Sequence, residues 1–391
     1  MRESLKDEIW GFAQASREPQ LRLVQDLCSE NSYTYNVKGT ERVADMIMEQ
    51  IEALFAEHEV SEQTDVGSHH VLRTGAAHRL APSQPVFLLG HMDTVFPPEH
   101  PFKQCTHEGD WLKGPGVGDM KGGLAVIIFA LKALAELGVL AQLNLTLILG
   151  GDEEIGSRTS HALYKRESQR ASACLAAECA GPRGEVVISR NGKAGVRLEC
   201  FGEDRHVASV ERRKSSAILE MAHKIVALEA LNETHSPVWV NVGRIEGGLG
   251  PATVPASVGC LLDLRWAREE DCEVLLRDVR RVVQRNKQPE CKCELVFLNR
   301  RPAMPASKET QEMFELLKQT AKALGMPLDA EHRRGTSDAN FFGAAGVPTI
   351  DGFGPICIGD HTPDERILVR SLAERTALLA LFLTHFVETD Q

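Results

Sequence analysis

Apolar residues in "ERVADMIMEQIEALF" (41–55) recur at Val43, Ile47, Ile51, Leu54 and Phe55, which is one face of a helix. "PVFLLGH" (85–91) is a short unbroken apolar run and predicts a buried strand. "GGLAVIIFALKALAELG" (122–138) is apolar almost all round and long enough for a buried helix. "LNLTLIL" (143–149), "ACLAAE" (173–178) and "GEVVISR" (184–190) predict further strands. Strands alternating with helices predict an α/β fold with a mostly parallel sheet.

The pattern changes after residue 190. "GVRLECF" alternates as a half-exposed strand does, and "SSAILEMAHKIVALEAL" spaces Ile218, Met221, Ile225 and Leu228 helically. The strands "VWVNV" and "SVGCLLDLRW", the helix "EEDCEVLLRDVRRVVQR" and the strand "CELVFL" follow. That order, β-α-β-β-α-β, is ferredoxin-like and fills roughly one hundred residues. The two prolines of "NRRPAMPAS" (299–307) then read as a linker. Helix and strand patterns resume at "ETQEMFELLKQTAKALG" and "VPTID", and a last helix is expected to be capped by Ser371 and Glu374. The expected organisation is a split α/β domain, 1–193 with 301–391, carrying an inserted domain at 194–300.

A chain of 391 residues exceeds one ordinary core, which agrees with two domains. The net charge of −11 gives no electrostatic support to a nucleic-acid partner. No run of about 18 apolar residues predicts a membrane span. The charged opening "MRESLKDEIWGFAQASREPQ" lacks the apolar stretch of a signal peptide. Ten scattered cysteines without zinc-ribbon spacing read as buried thiols, so a cytoplasmic location is expected.

Candidate chemistry gathers at the predicted element ends. "GHMDTV" places His91 and Asp93 two apart at a strand tip, on one side if the strand runs through both. "GPGVGDMKGG" sets Asp119 in a glycine-rich turn before the apolar helix. "GGDEEIGS" sets Asp152, Glu153 and Glu154 after a buried strand. "AECAG" sets Glu178 at another strand end, and "GDHTPDE" sets His361 in a late loop. Each has an ordinary reading: a surface HxD, an N-terminal acidic cluster, a strand-end carboxylate, a loop histidine, an N-cap. Their joint occurrence at the edge where α/β sheets carry active sites favours chemistry. Two imidazoles and three carboxylates suffice for two metal ions if one carboxylate bridges. Nitrogen and oxygen donors suit zinc, with cobalt or manganese as substitutes.

With "GTSDANFF", these stretches resemble the dinuclear zinc peptidase and deacylase family that includes glutamate carboxypeptidase, acetylornithine deacetylase, succinyl-diaminopimelate desuccinylase and aminoacylase. "GTSDANFF" with "GDHTPDE" leans toward the glutamate carboxypeptidase branch. The resemblance implies that Asp119 bridges two Zn2+ ions, with His91 and Glu178 on one and Glu154 and His361 on the other. It implies Asp93 as support for His91, Glu153 as general base, and a cis peptide after Asp119. It implies that the inserted domain is a lid and dimerisation domain, that His206 reaches across a homodimer, and that Arg265 grips a substrate carboxylate. Glu178, where aminopeptidase members carry Asp, points to a carboxypeptidase or deacylase acting on small N-acyl amino acids or short peptides. Two stretches depart from the family pattern: "RHVAS" where His-Ala-Gly is usual, and "GPATVP", with Ala252 or Thr253 where an asparagine is usual. The implied activity is cleavage of an amide bond beside a carboxylate-bearing amino acid. The alternatives are an N-acetyl or N-succinyl amino acid deacylase and a non-catalytic binding protein on the same fold.

Overall fold

The apolar run at 85–89 becomes the strand Val86–His91, inside a six-stranded sheet. The sheet order is Glu57–Ser61, His69–Arg73, Leu145–Gly150, Val86–His91, Ala173–Ala176, Thr349–Ile350. The last four strands run parallel and the first two join antiparallel at one edge. The structure, a computed structural model, describes residues 3–75, 84–210, 214–234, 238–288 and 290–387. It divides into two compact units: Met1–Ser189 with Ala306–Arg333 and Ser337–Gln391, and Arg190–Pro305 with Arg334–Thr336.

In the first unit, alternate residues of Val86–His91 serve opposite faces, as the period of a strand requires. Val86 and Leu88 join a core made with the helices Glu3–Ala15, Arg17–Ser29, Val37–Ile51, Gly122–Glu136 and Val369–Leu383. Phe87 faces the other way, its ring 5.1 Å from Phe342, and Phe341 of the same helix, Ala339–Ala344, stacks on Tyr164. Twelve of the fifteen residues of Gly122–Glu136 are buried, which explains why its sequence has almost no polar side. Truncating one of its fully buried leucines, Leu131, to alanine costs about 2–5 kcal/mol.

Several elements differ from expectation. The helix expected at 41–55 begins at Val37 and ends in a separate turn, Glu52–Leu54. The strand Val186–Arg190 leaves the main sheet and pairs with Ala330–Arg333. Ser371 does not cap the last helix. The strand Arg366–Leu368 runs straight into that helix, so the cap position falls on Leu368. Ser371 lies inside the helix, donating to the Leu368 carbonyl and accepting from the Ile356 N–H.

The second unit has the strands Gly192–Phe201, Val238–Gly247, Ser257–Trp266 and Lys292–Arg301 and the helices Ala217–Glu229 and Glu269–Gln284. The sheet is antiparallel throughout, with the first and third strands central, as in ferredoxin-like folds. Cys272, Leu275, Val279 and Val283 form the buried stripe of the second helix. The buried ammonium of Lys224 donates to the carbonyls of Val282 and Arg285, neutralising that helix's C-terminal end, and pairs with Glu220 at 2.8 Å. Among the described residues, no helix is long and apolar enough to cross a membrane.

The strand next to the sheet edge carries an acid-sensitive histidine, His70, facing His58 of the edge strand. His70 Nδ1 lies 3.0 Å from His58 Nε2. Burial first, and the neighbouring His58 second, depress His70 to about 4. The unfolded chain takes up a proton near 6.5 while the native chain does not. Native stability is therefore lost as pH falls from 6.5 toward 4, by at most roughly 3 kcal/mol from this residue. Urea titrations at pH 7 and pH 4.5, with chelator present, check it. The stability gap between the two pH values should narrow in His70→Gln, and an unchanged gap would refute the assignment.

Candidate metal centre

His91 ends a parallel strand, and Glu153 and Glu154 begin the short turn Glu153–Ile155 after the strand Leu145–Gly150. Glu178 follows the strand Ala173–Ala176. Asp119 comes from the turn between the strand Trp111–Lys113 and the helix Gly122–Glu136, and His361 from the loop before Arg366–Leu368. Strand-end placement gathers residues far apart in sequence at one edge of the sheet. Close packing helps: a Cβ on Gly123 would lie 1.8 Å from the Ala177 carbonyl oxygen, so only glycine lets this helix start so near the strand that leads to Glu178.

Asp119 is central. Its Oδ1 lies 2.9 Å from His91 Nε2 and its Oδ2 lies 2.9 Å from His361 Nε2. Glu178 Oε1 is 3.6 Å from His91 Nε2, and Glu154 Oε2 is 3.2 Å from His361 Nε2. Two groups result, His91 with Glu178 and His361 with Glu154, each facing one oxygen of Asp119. One donor atom each from His91, Asp119 and Glu154 lie within 4.8 Å of one another. The Asp119–Met120 peptide is cis, as the resemblance implies.

Asp93 is wholly buried. His91 Nδ1 lies 3.0 Å from the Asp93 carbonyl oxygen and 3.4 Å from its carboxylate, so the carbonyl is the nearer acceptor for an Nδ1 proton that leaves Nε2 facing Asp119. The Asp93 carboxylate accepts the N–H groups of Glu153 and Glu154 and the hydroxyl of Thr34. It thereby ties the strand end carrying His91 to the turn carrying both glutamates. Asp152 fixes the far side of that turn, accepting from Thr159 and Ser160. Glu153 is buried near Glu154 and Glu178.

The electrostatics ask for cations. Burial, then the Asp119 charge, pushes Glu154 and Glu178 well above the usual carboxylate range. Burial opposes the charge on Asp119, yet hydrogen bonds to His361 and His91 hold it well below that range. Hydrogen bonds to Asp119 and Glu154 push His361 up to about 11. His91 also rises, although burial opposes it, through hydrogen bonds to Asp119 and Asp93. Three carboxylates share so small a volume that they favour positive charge on the imidazoles beside them. Glu154 Oε1 is buried without a hydrogen-bond partner, so it keeps a lone pair for an ion. The donor set of nitrogen and oxygen, without thiolate, fits a two-ion centre.

His206 and Arg265 belong to the second unit. His206 is exposed, its Nδ1 accepting the Ala208 N–H. Arg265 donates to Asp263 and to the Arg334 carbonyl. The two departures from the family pattern are neighbours: His206 pairs with Thr253, and the Val207 N–H donates to the Ala252 carbonyl. Thr34 and Glu365 carried no role at the sequence level. Thr34 has no local signal; Glu365 closes "GDHTPDE" but its partners lie about 250 positions away.

Residues 87–385 match the model of peptidase family M20/M25/M40. Carboxypeptidase G2 from Pseudomonas sp. (strain RS-16) is 28% identical over 71% of this chain and 68% of its own. Succinyl-diaminopimelate desuccinylase from Methylococcus capsulatus is 27% identical over 77% of this chain and 83% of its own. The crystal structure of a dinuclear metal-binding peptidase from Bacillus subtilis superposes with a TM-score of 0.69 at 15% identity, covering 96% of this chain and 100% of that one, which is a likeness of fold. The family match spans most of the chain, including every strand-end residue of the centre, and the chain belongs to peptidase family M20/M25/M40, a family of metal-dependent hydrolases.

Proposed function

We propose that this protein is a two-zinc hydrolase that cleaves the amide bond beside a carboxylate-bearing amino acid, glutamate in the first instance. The observation that carries the reading is the Asp119 carboxylate, each of whose oxygens lies 2.9 Å from a different imidazole. In this reading Asp119 would serve both ions, His91 and Glu178 would hold one, and Glu154 and His361 would hold the other. When bound, such ions supply Lewis acidity to the scissile carbonyl and make water a nucleophile near neutral pH. Glu153 takes the proton from the attacking water and passes it to the leaving nitrogen. Asp93 keeps the His91 strand end and the Glu153–Glu154 turn in register. Likeness to carboxypeptidase G2 supports a substrate with a free carboxylate, and Arg265 is the candidate to bind it once it exchanges Asp263 for substrate.

A deacylase is the second reading, supported by the desuccinylase relative, which this chain matches over more of its length. Metal-reconstituted protein assayed against N-acyl glutamates, short peptides ending in glutamate and N-succinyl diamino acids separates the two. Preference for the glutamyl substrates supports the first, and preference for the succinyl substrates replaces it with the second. No turnover of any, with two ions bound, would sink both.

The second unit is proposed as a lid that pairs two chains, with His206 donating to the carbonyl oxygen in the partner's site. Loss of such a donor typically costs about 10²–10³ in kcat. His206→Ala and Glu153→Gln, each nearly inactive alone, should regain activity when mixed, because one site of a mixed dimer holds both intact groups. Absence of recovery despite demonstrated subunit exchange would rule out action across the dimer.

A further inference from the structure

The turn that presents Asp119 is held by a carboxylate the proposed chemistry does not use. Glu365 is 1% exposed. Its Oε2 accepts the Gly116 N–H at 2.9 Å, and its Oε1 accepts the N–H groups of Gly118 at 2.9 Å and Asp119 at 3.1 Å. Gly116 is left-handed (φ +71), which turns these N–H groups into one concavity, an arrangement that elsewhere binds external anions. Here the chain's own carboxylate fills it. Gly118 lets the turn pack against Cys357, since a Cβ there would lie 2.1 Å from Cys357 Sγ.

Glu365 also belongs to the segment that carries His361. The Glu365 N–H donates to Thr362 and the Thr362 N–H to Gly359, closing the loop around His361, itself left-handed at φ +60. The Gly114 N–H donates to the Glu365 carbonyl, and Arg366–Leu368 pairs with Trp111–Lys113. One residue thus joins the bridging aspartate's turn to the last imidazole's loop, through both its backbone and its side chain.

We propose that Glu365 is a positioning residue that fixes Asp119 and His361 as a single ligand unit before any ion arrives. The proposal rests on the two-metal reading above. Because Asp119 faces both ion positions, disturbing Glu365 should weaken both ions. Removing His361 should weaken one. Glu365→Gln keeps the shape but sets an amide donor against backbone N–H donors, breaking the set of three. Outer residues that orient metal ligands typically change affinity 10–100-fold.

The test is zinc titration of the metal-free wild type, Glu365→Gln and His361→Ala against a competing chelator, with circular dichroism to verify folding. A 10–100-fold loss at both sites in Glu365→Gln, with kcat partly restored by excess zinc, supports the proposal. Wild-type affinity at both sites in a folded Glu365→Gln overturns it, even if its melting temperature falls. A wild type that takes up fewer than two ions would refute the metal reading itself, and the role of Glu365 with it. Hydrogen exchange on metal-free wild type needs no variant. The Gly116, Gly118 and Asp119 amides should already be protected, and protection arising only after zinc is added would overturn the proposal.

Discussion

Glu153→Gln is expected to keep two ions bound and to lose kcat by on the order of 10²–10⁴, the usual weight of a positioned general base. Glutamine has nearly the shape of glutamate and leaves the Glu153 N–H free to donate to Asp93 as before. Hence the turn that carries Glu154 stays in place and the ligand set is untouched. What disappears is the ability to hold a proton between water and the leaving nitrogen. KM should change little, because the loss falls on a step that follows binding. The check is metal content by mass spectrometry beside steady-state kinetics. Near-normal turnover would remove Glu153 from the reaction, and loss of metal would recast it as a ligand.

Asp119→Asn is expected to do more: both ions are lost and activity falls to background. An amide offers one weak acceptor where the carboxylate presents two charged oxygens to two imidazoles. The first of the two carboxylates that raise His361 to about 11 is also removed, so in the metal-free variant this imidazole should titrate clearly lower, with Glu154 still raising it above its usual range near 6.5. NMR titration of the histidine ring protons reads that shift directly and without any metal. In the wild type an arriving ion must displace the imidazolium protons, so metal affinity should fall as pH is lowered. Retention of two ions by Asp119→Asn, or a His361 that still titrates near 11, would contradict the central place given to this carboxylate.

Four residues of the candidate centre, His91, Asp119, Glu154 and Glu178, were legible because each lies by an element with a strong pattern, whereas His361 lies in a loop that only the motif "GDHTPDE" marked. The apolar-rich strands before His91, Asp152 and Glu178 and the apolar helix after Asp119 mark element ends by pattern alone, and element ends are where an α/β sheet places its chemistry. The second unit was legible because its helices keep clean stripes, such as Cys272, Leu275, Val279 and Val283. The N-terminal helices Glu3–Ala15 and Arg17–Ser29 were not legible, because charge obscures short stripes such as Leu23, Val24 and Leu27. Ser371 misled because a capping-box pattern says nothing about a strand that enters a helix without a break. Thr34 and Glu365 were silent for a different reason. Each acts on backbone or carboxylate groups distant along the chain, and no local period encodes such a contact.

The order of the ligands along the chain has a consequence during synthesis. His91, Asp119, Glu154 and Glu178 are all translated before the inserted unit, whereas His361 and Glu365 follow it. A ribosome must therefore complete the insertion before the Asp119 turn gains its Glu365 acceptor or the proposed second ion position its imidazole. Products of stalled or prematurely terminated translation carry four of the five proposed ligand residues yet lack the Glu365 carboxylate. Such fragments leave the Gly116, Gly118 and Asp119 N–H groups without their acceptor, so the turn takes its fixed shape only in a chain made through residue 365.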